Sequence, residues 1–201
     1  MSTEQQDTDA PADAEESSAL LFGEWGTDEI EFSDASTERY ITVTPIAHTM
    51  GRHADKQFKK SQISVVERLI NRLMQTDENT GKKQLTISIT QDAFEIIHDR
   101  TDENPVQVLV RAVEHSAPRE ETVRLKYGGI SVPKAVDVAP QRRVDQALKF
   151  IAEGVHGDSF KTETDAADAL ARQLMGAADN DVDTYAVSQK EENERVAAAA
   201  R

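Results

Sequence analysis

Glu95-Ile-Ile-His98 sets a carboxylate and an imidazole three residues apart. Helices of di-iron and di-manganese bundles present metal ligands with this spacing. Such a centre needs a second pair and two further Glu converging from facing helices, and the sequence is read as lacking that set. His48, His53, His115 and His156 belong to no His-Glu-x-x-His motif, and neither a phosphate loop nor a Gly-x-Ser-x-Gly elbow occurs. Cysteine is absent, which removes thiolate metal sites and disulfide frameworks. His98 therefore reads as a partly buried helix residue, and the expectation is no catalytic residue, no metal and no cofactor. The stronger chemical signal is cationic. Residues 51–60 carry Arg52, Lys56, Lys59 and Lys60 against Asp55 alone, and residues 119–149 carry seven bases against four acids. Clustered Lys and Arg beside loops are suited to phosphate.

The net charge of −14 points the other way until its distribution is read. Residues 1–38 hold twelve acids and no Lys or Arg, which leaves the remainder with 25 acids against 23 bases. The basic clusters therefore stand out from a nearly neutral background. Arg142-Arg143 fall just after Pro140, in the first turn of an expected helix. The helix dipole disfavours cations there, so a compensating external anion is expected.

The elements that must position these residues are mainly helical. Residues 1–18 are Asp, Glu, Ser, Thr, Ala and Gln without apolar periodicity and read as a disordered acidic tail. Residues 19–50 form an N-terminal extension with scattered apolar residues, Leu21, Phe22, Trp25 and Tyr40 to Val43, that packs onto its own domain or a partner. Residues 51–201 are the main domain. Ile63, Val66, Ile70 and Leu73 recur at helical steps, with Ser61 as N-cap and an end near Asn79 to Gly81. Residues 84–100 alternate like a strand at Leu85, Ile87 and Ile89, then space like a helix at Ala93, Ile96 and Ile97; one helix is expected, because a lone strand has no mate. Asn104-Pro105 starts a helix with Val106, Leu109, Val110 and Val113 inward. Residues 121–137 read as a β-hairpin turning at Gly128-Gly129. A two-stranded ribbon is marginal in water, so it should lie against something, and its Arg124, Lys126 and Lys134 suggest phosphate. Tyr127 could stack on a base or pack across the strands. Helices follow from Pro140, over 164–178, and after a Ser188-x-x-Glu191 capping box. The fold class is mainly α: about six helices and one protruding hairpin. No apolar run approaches a membrane span and no signal peptide opens the chain, so it reads as soluble and cytoplasmic.

Six stretches are more specific. They are Gly51-Arg-His-Ala-Asp-Lys-Gln-Phe-Lys-Lys60, Val66-Glu-Arg-Leu-Ile-Asn-Arg-Leu-Met74, Ala93-Phe-Glu-Ile-Ile-His98, Glu103-Asn-Pro-Val-Gln-Val-Leu-Val110, Ala117-Pro-Arg-Glu-Glu121 and Val136-Asp-Val-Ala-Pro-Gln-Arg-Arg143. Together they resemble the small-subunit ribosomal protein seven family in its archaeal and eukaryotic form. Leu21-Phe-Gly-Glu-Trp25 is similar to that form's N-terminal extension, and Ala186 to Arg195 to its last helix. The resemblance implies a helical bundle with a protruding hairpin. It also implies binding to the 3′ major (head) domain of small-subunit rRNA, nucleation of head assembly, and a place near exit-site tRNA and the mRNA exit path. The implied protein partners are neighbouring ribosomal proteins of the head and platform. The RNA-facing positions it implies are Arg52, Lys56, Lys59, Lys60, Lys82, Lys83, Arg119, Arg124, Lys126, Lys134, Arg142 and Arg143, with Tyr127 beside the turn.

The acidity departs from that family's usual basic character and resembles ribosomal proteins of salt-loving archaea. At molar salt the Debye length is about 3 Å, so acidic surface hardly repels RNA beyond contact. Counterion release contributes little there, and binding must rest on direct charge-assisted contacts. The remaining Lys and Arg are then expected to be mostly contact residues. The competing class is an acidic helical module that binds only proteins; it would bury the hairpin against the bundle and lack a basic face. Unscreened repulsion among the acids should loosen the chain without salt. A circular-dichroism titration is expected to show helicity rising with salt, and full helicity in its absence would refute this.

Overall fold

A computed structural model describes residues 20–51, 53, 55–76 and 79–201, apart from the side chain of Tyr127. The expected disordered tail and Arg52 lie outside the described residues. Among these residues, helices α1 (Ala35–Glu38), α2 (Val65–Leu73), α3 (Lys83–Thr101) and α4 (Pro105–Ser116) precede strands β1 (Glu120–Tyr127) and β2 (Ile130–Asp137). Helices α5 (Pro140–Ser159), α6 (Ala166–Ala178) and α7 (Tyr185–Ala199) follow. Apart from the four-residue α1, these are the six expected helices and the hairpin. None of the helices is long and apolar enough to cross a membrane.

The centre of the bundle is α4. Asn104 caps it by accepting from the Val106 amide at 3.0 Å, and Pro105 occupies the first turn, where a missing N–H costs nothing. The expected stripe of Val106, Leu109, Val110 and Val113 is fully buried, and so are Val108 and Ala112 on its other side. That other side is covered because α4 packs against α3, α5, α6 and α7 while the N-terminal extension crosses it. Helix α3 runs unbroken through the stretch with strand-like alternation. Its buried Thr86 and Thr90 return their hydroxyls to the carbonyls of Lys83 and Thr86 at 2.9 and 2.8 Å, so polar β-branched residues sit in the core without orphaned groups.

Two expected helix starts are corrected. Helix α2 begins at Val65 after Ser64, whereas Ser61 lies in a 3-10 turn (Lys59–Gln62); its last residue is Leu73, well before Asn79. Helix α7 begins at Tyr185 after Thr184, so Ser188 is an interior residue whose amide donates to the Thr184 carbonyl at 3.0 Å. Neither Ser64 nor Thr184 makes a side-chain cap bond, and at α2 the Val65 amide instead donates to the Thr42 carbonyl at 2.8 Å.

Residues 20–43 form a strap over the bundle rather than a free arm. Leu21 is fully buried, the Phe22 ring meets Phe94 edge-on at 6.2 Å, and Trp25 meets His98 at 4.9 Å. Gln107 and Glu31 exchange two hydrogen bonds of 2.8 and 2.9 Å, and Asn104 donates to the Gly26 carbonyl at 2.8 Å. Phe94 thus supports both core and strap. Phe94→Ala is expected to lower unfolding free energy by about 3–5 kcal/mol in a denaturant titration, and a loss under 1 kcal/mol would show that the strap packs independently of this ring.

Candidate nucleic-acid interface

The first turn of α5 is where cations converge, and the chain supplies their anions. Arg143 is 6% exposed; it donates to an Asp34 carboxylate oxygen at 2.8 Å and to the Ser36 hydroxyl. Arg142 grips Glu121 of β1 with two bonds of 2.9 Å, from Nε and Nη2 to separate oxygens. Carboxylates from the strap and the hairpin therefore stand beside both arginines. Burial pushes the Asp34 carboxyl up, but hydrogen bonds from Ser36 and Arg143 outweigh it and lower its pKa to about 2.

A parallel arrangement anchors α2. Glu67 is 1% exposed and accepts from Lys83 at 2.7 Å and from the Thr49 amide at 3.2 Å. Burial alone would raise its pKa; the bonds from Lys83 and Thr49 prevail and hold it below the ordinary carboxylate value. Glu114 of α4 is buried in the same way and accepts the Ser33 and Asp34 amides at 3.1 and 3.0 Å. Lys83 and Arg143 thus act inside the fold. Two of the positions expected at the RNA contact are held by internal carboxylates.

Further cations, among them the buried Arg68, line the junction of α2 and α5. Asp145 bridges Lys60 and Arg68, with Arg68 at 2.9 Å. Burial lowers the Arg68 guanidinium, and Asp145 offsets part of that. One hollow of about 320 Å3 is lined by His53, Lys60, Arg68, Asn71, Arg72 and Asp145. A second, of about 540 Å3, is lined by Arg72, Arg142, Asp145, Gln146, Lys149 and Asn193, among others. The two share Arg72 and Asp145, so they form one groove. Its walls carry Lys60, Arg68, Arg72, Arg142 and Lys149 against Asp145 and Glu153. The groove is rich in Asn, Gln and guanidinium donors, which match phosphate and sugar oxygens.

Arg72 and Lys149 were not singled out from the sequence. Each lies alone within a helix rather than in a basic run, and the packing of α2 on α5 brings them together. The other predicted positions lie elsewhere on the surface. Lys56 and Lys82 are exposed, and Lys59 is half-buried at the start of the 3-10 turn. Arg119 is exposed at the hairpin base, and Arg124, Lys126 and Lys134 are exposed along it. The hairpin turns at Gly128 and Gly129 with φ of 56° and 91°, values that favour glycine. Its base leans on α7, where the Ala135 amide donates to Ala200, while Ile130 is 70% exposed at the far end. The bundle does not cover it, contrary to what a purely protein-binding module required. The side chain of Tyr127, proposed for stacking, lies outside the described residues.

The metal reading needs one correction. Glu153-Gly-Val-His156 on α5 repeats the spacing of Glu95 and His98, so a second pair does exist. The pairs do not converge: among the described residues no group of three or more His, Asp or Glu side chains could hold a metal ion. His98 contacts Trp25, and His156 stacks on Phe160 at 5.0 Å.

Residues 37–201 match the family described as ribosomal protein S7p/S5e. The chain belongs to that family. Among its relatives, the small ribosomal subunit protein uS7 of Haloarcula marismortui is 77% identical over 201 residues, covering 99% of this chain and 98% of the relative. The protein of the same name from Natronomonas pharaonis is 73% identical over 203 residues, covering both chains fully at 100%. That of Methanothrix thermoacetophila is 55% identical over 183 residues, 90% of this chain and 99% of the relative. The first two organisms are halophilic archaea, in line with the acidity read from the sequence. This is a ribosomal protein family rather than an enzyme family.

Asp34 generates a pH test. Its folded pKa is depressed, so its contribution is fully present above the unfolded carboxylate value near 4 and is lost as pH falls through about 2. Asp34→Asn is expected to lower stability at neutral pH by on the order of 2 kcal/mol, with the gap to the parent closing between about pH 4 and 2 in urea titrations. A gap independent of pH would assign the loss to packing instead of ionisation.

Proposed function

We propose that this chain is a structural protein of the small ribosomal subunit that binds the 3′ major (head) domain of small-subunit rRNA. In this reading it helps nucleate head assembly in the cytoplasm. It also lies near exit-site tRNA and the mRNA exit path, against neighbouring head and platform ribosomal proteins. Small-subunit rRNA is the principal partner. The observation that carries the reading is the α2–α5 groove, a cation-lined surface on a chain whose net charge is −14. A surface that keeps its guanidinium and ammonium groups while the rest becomes acidic is suited to a polyanion. Membership of a family whose relatives are named for the small subunit gives it independent support.

Within this reading the contact residues divide by position. Lys60, Arg72, Arg142 and Lys149 present the groove; Lys56, Lys59, Lys82, Arg119, Arg124, Lys126 and Lys134 extend the contact along the loops and hairpin. Lys83 and Arg143 hold α3 and α5 in place behind that surface. Asp145 and Glu121 fix the cations in one geometry, which lowers the conformational entropy lost when a phosphate arrives.

Sequencing of RNA that co-purifies with the protein from native extract at molar salt is expected to enrich one region of small-subunit rRNA. With that region as a transcript, Arg72→Gln and Lys149→Gln are each expected to weaken binding about ten-fold or more, the cost of one lost charge-assisted hydrogen bond. Recovery of protein partners without any specific RNA would favour the acidic protein-binding module instead.

A further inference from the structure

We propose that Phe58 is a stacking platform for an unpaired nucleobase of the RNA bound beside it. The proposal rests on the rRNA-binding reading and adds a second mode of contact to it. The chain is only 5% aromatic, and among the described rings only Phe58 and the less exposed Tyr185 lie outside both the core and the ring pairs. Phe22, Trp25, Phe32 and Tyr40 pack on the core, and Phe94 and Phe150 are buried within it. Phe160 stacks on His156, with Lys161 over its ring at 4.8 Å. Phe58 is 54% exposed, more than Phe160 or Tyr185, and it belongs to neither the core nor a ring pair.

Its backbone is unusual as well. Phe58 has φ of 64° and ψ of −1°, a left-handed conformation that a bulky L-residue rarely adopts. Ser61 locks the turn by donating its amide and its hydroxyl to the Phe58 carbonyl at 3.0 and 2.7 Å. Glycine or asparagine would occupy this position with less strain, and a hydrophobic ring gains nothing from water there. Strain of this kind persists where surrounding structure imposes it, and it clusters at binding sites.

The neighbours specify the ligand. Lys56 precedes the ring by two residues, and Lys59 and Lys60 follow it directly. Lys60 itself lines the groove with Arg68 and Arg72. An aromatic face set among cations is the arrangement by which proteins hold single-stranded nucleic acid: the base stacks while the phosphates meet the ammonium groups. At high salt, where longer-range charge attraction is screened, stacking keeps its value. A base that has left its helix, from a loop or bulge, is therefore the expected occupant.

Three full-length variants test this against the enriched rRNA transcript at molar salt. Phe58→Leu keeps apolar bulk but removes the aromatic face, and it is expected to weaken binding about ten-fold, whereas Phe58→Tyr retains near-parent affinity. Phe58→Trp is expected to show fluorescence quenching on RNA addition beyond that of the parent, which carries Trp25 alone. Circular dichroism establishes that each variant is folded as the parent is. Parent affinity for Phe58→Leu together with an unquenched Phe58→Trp would overturn the proposal and assign the ring to a protein contact. If the parent itself binds no RNA, the failure lies with the rRNA-binding reading instead.

Discussion

Two adjacent arginines at the start of α5 set a constraint that the rest of the structure answers. A helix N-terminus repels cations, and the guanidinium of Arg143, which is buried, needs an anion beside it. Asp34 arrives from the strap and Glu121 from the hairpin, so two segments far from each other in sequence are brought to one helix end. Asp34 is in turn held by the hydrogen bond its backbone amide donates to the buried Glu114 of α4. Strap, central helix, hairpin and α5 are thereby fixed by one chain of charge-assisted bonds. Asp145, one turn further along α5, repeats the device by orienting Lys60 and Arg68 at the groove.

The features that were legible in the sequence are those encoded locally. Asn104-Pro105 marks a helix start because cap and ring constraint act within one turn, and Gly128-Gly129 marks a reversal because both need positive φ. The single helix over α3 followed from the absence of a mate for a strand, and buried Thr86 and Thr90 show why the pattern looked ambiguous. Ser61 and Ser188 misled because a Ser near a helix start is a cap only when the backbone turn falls on it. The pairings of Arg143 and Lys83 were not legible at all. Their partners are 109 and 16 residues away, and nothing in a local window separates a cation that will meet a carboxylate from one that will meet RNA. The groove was half-visible for the same reason: Lys60 and Arg142 stood in basic runs, but Arg72 and Lys149 gain meaning only when α2 lies on α5.

The acidity has a physical logic at this surface. A carboxylate such as Asp145 or Glu121 stands beside a cation it organises, so added acids need not oppose an RNA ligand. In salt they are screened beyond a few ångströms, while short cation–phosphate contacts persist. A negative chain and a polyanion are compatible when the cations are few, fixed and grouped.

The strap also imposes an order of events on synthesis. It leaves the ribosome first, yet Asp34 can close on Arg143 only after 109 further residues have been made, and Ser33 on Glu114 only after 81. Phe22 and Trp25 gain their ring partners earlier, once Phe94 and His98 of α3 have been made. Contacts of such long sequence separation form late and slow folding. The nascent chain therefore carries an uncovered apolar segment through about the first half of its translation, directly behind a stretch of acidic residues that keeps it hydrated and repels its copies.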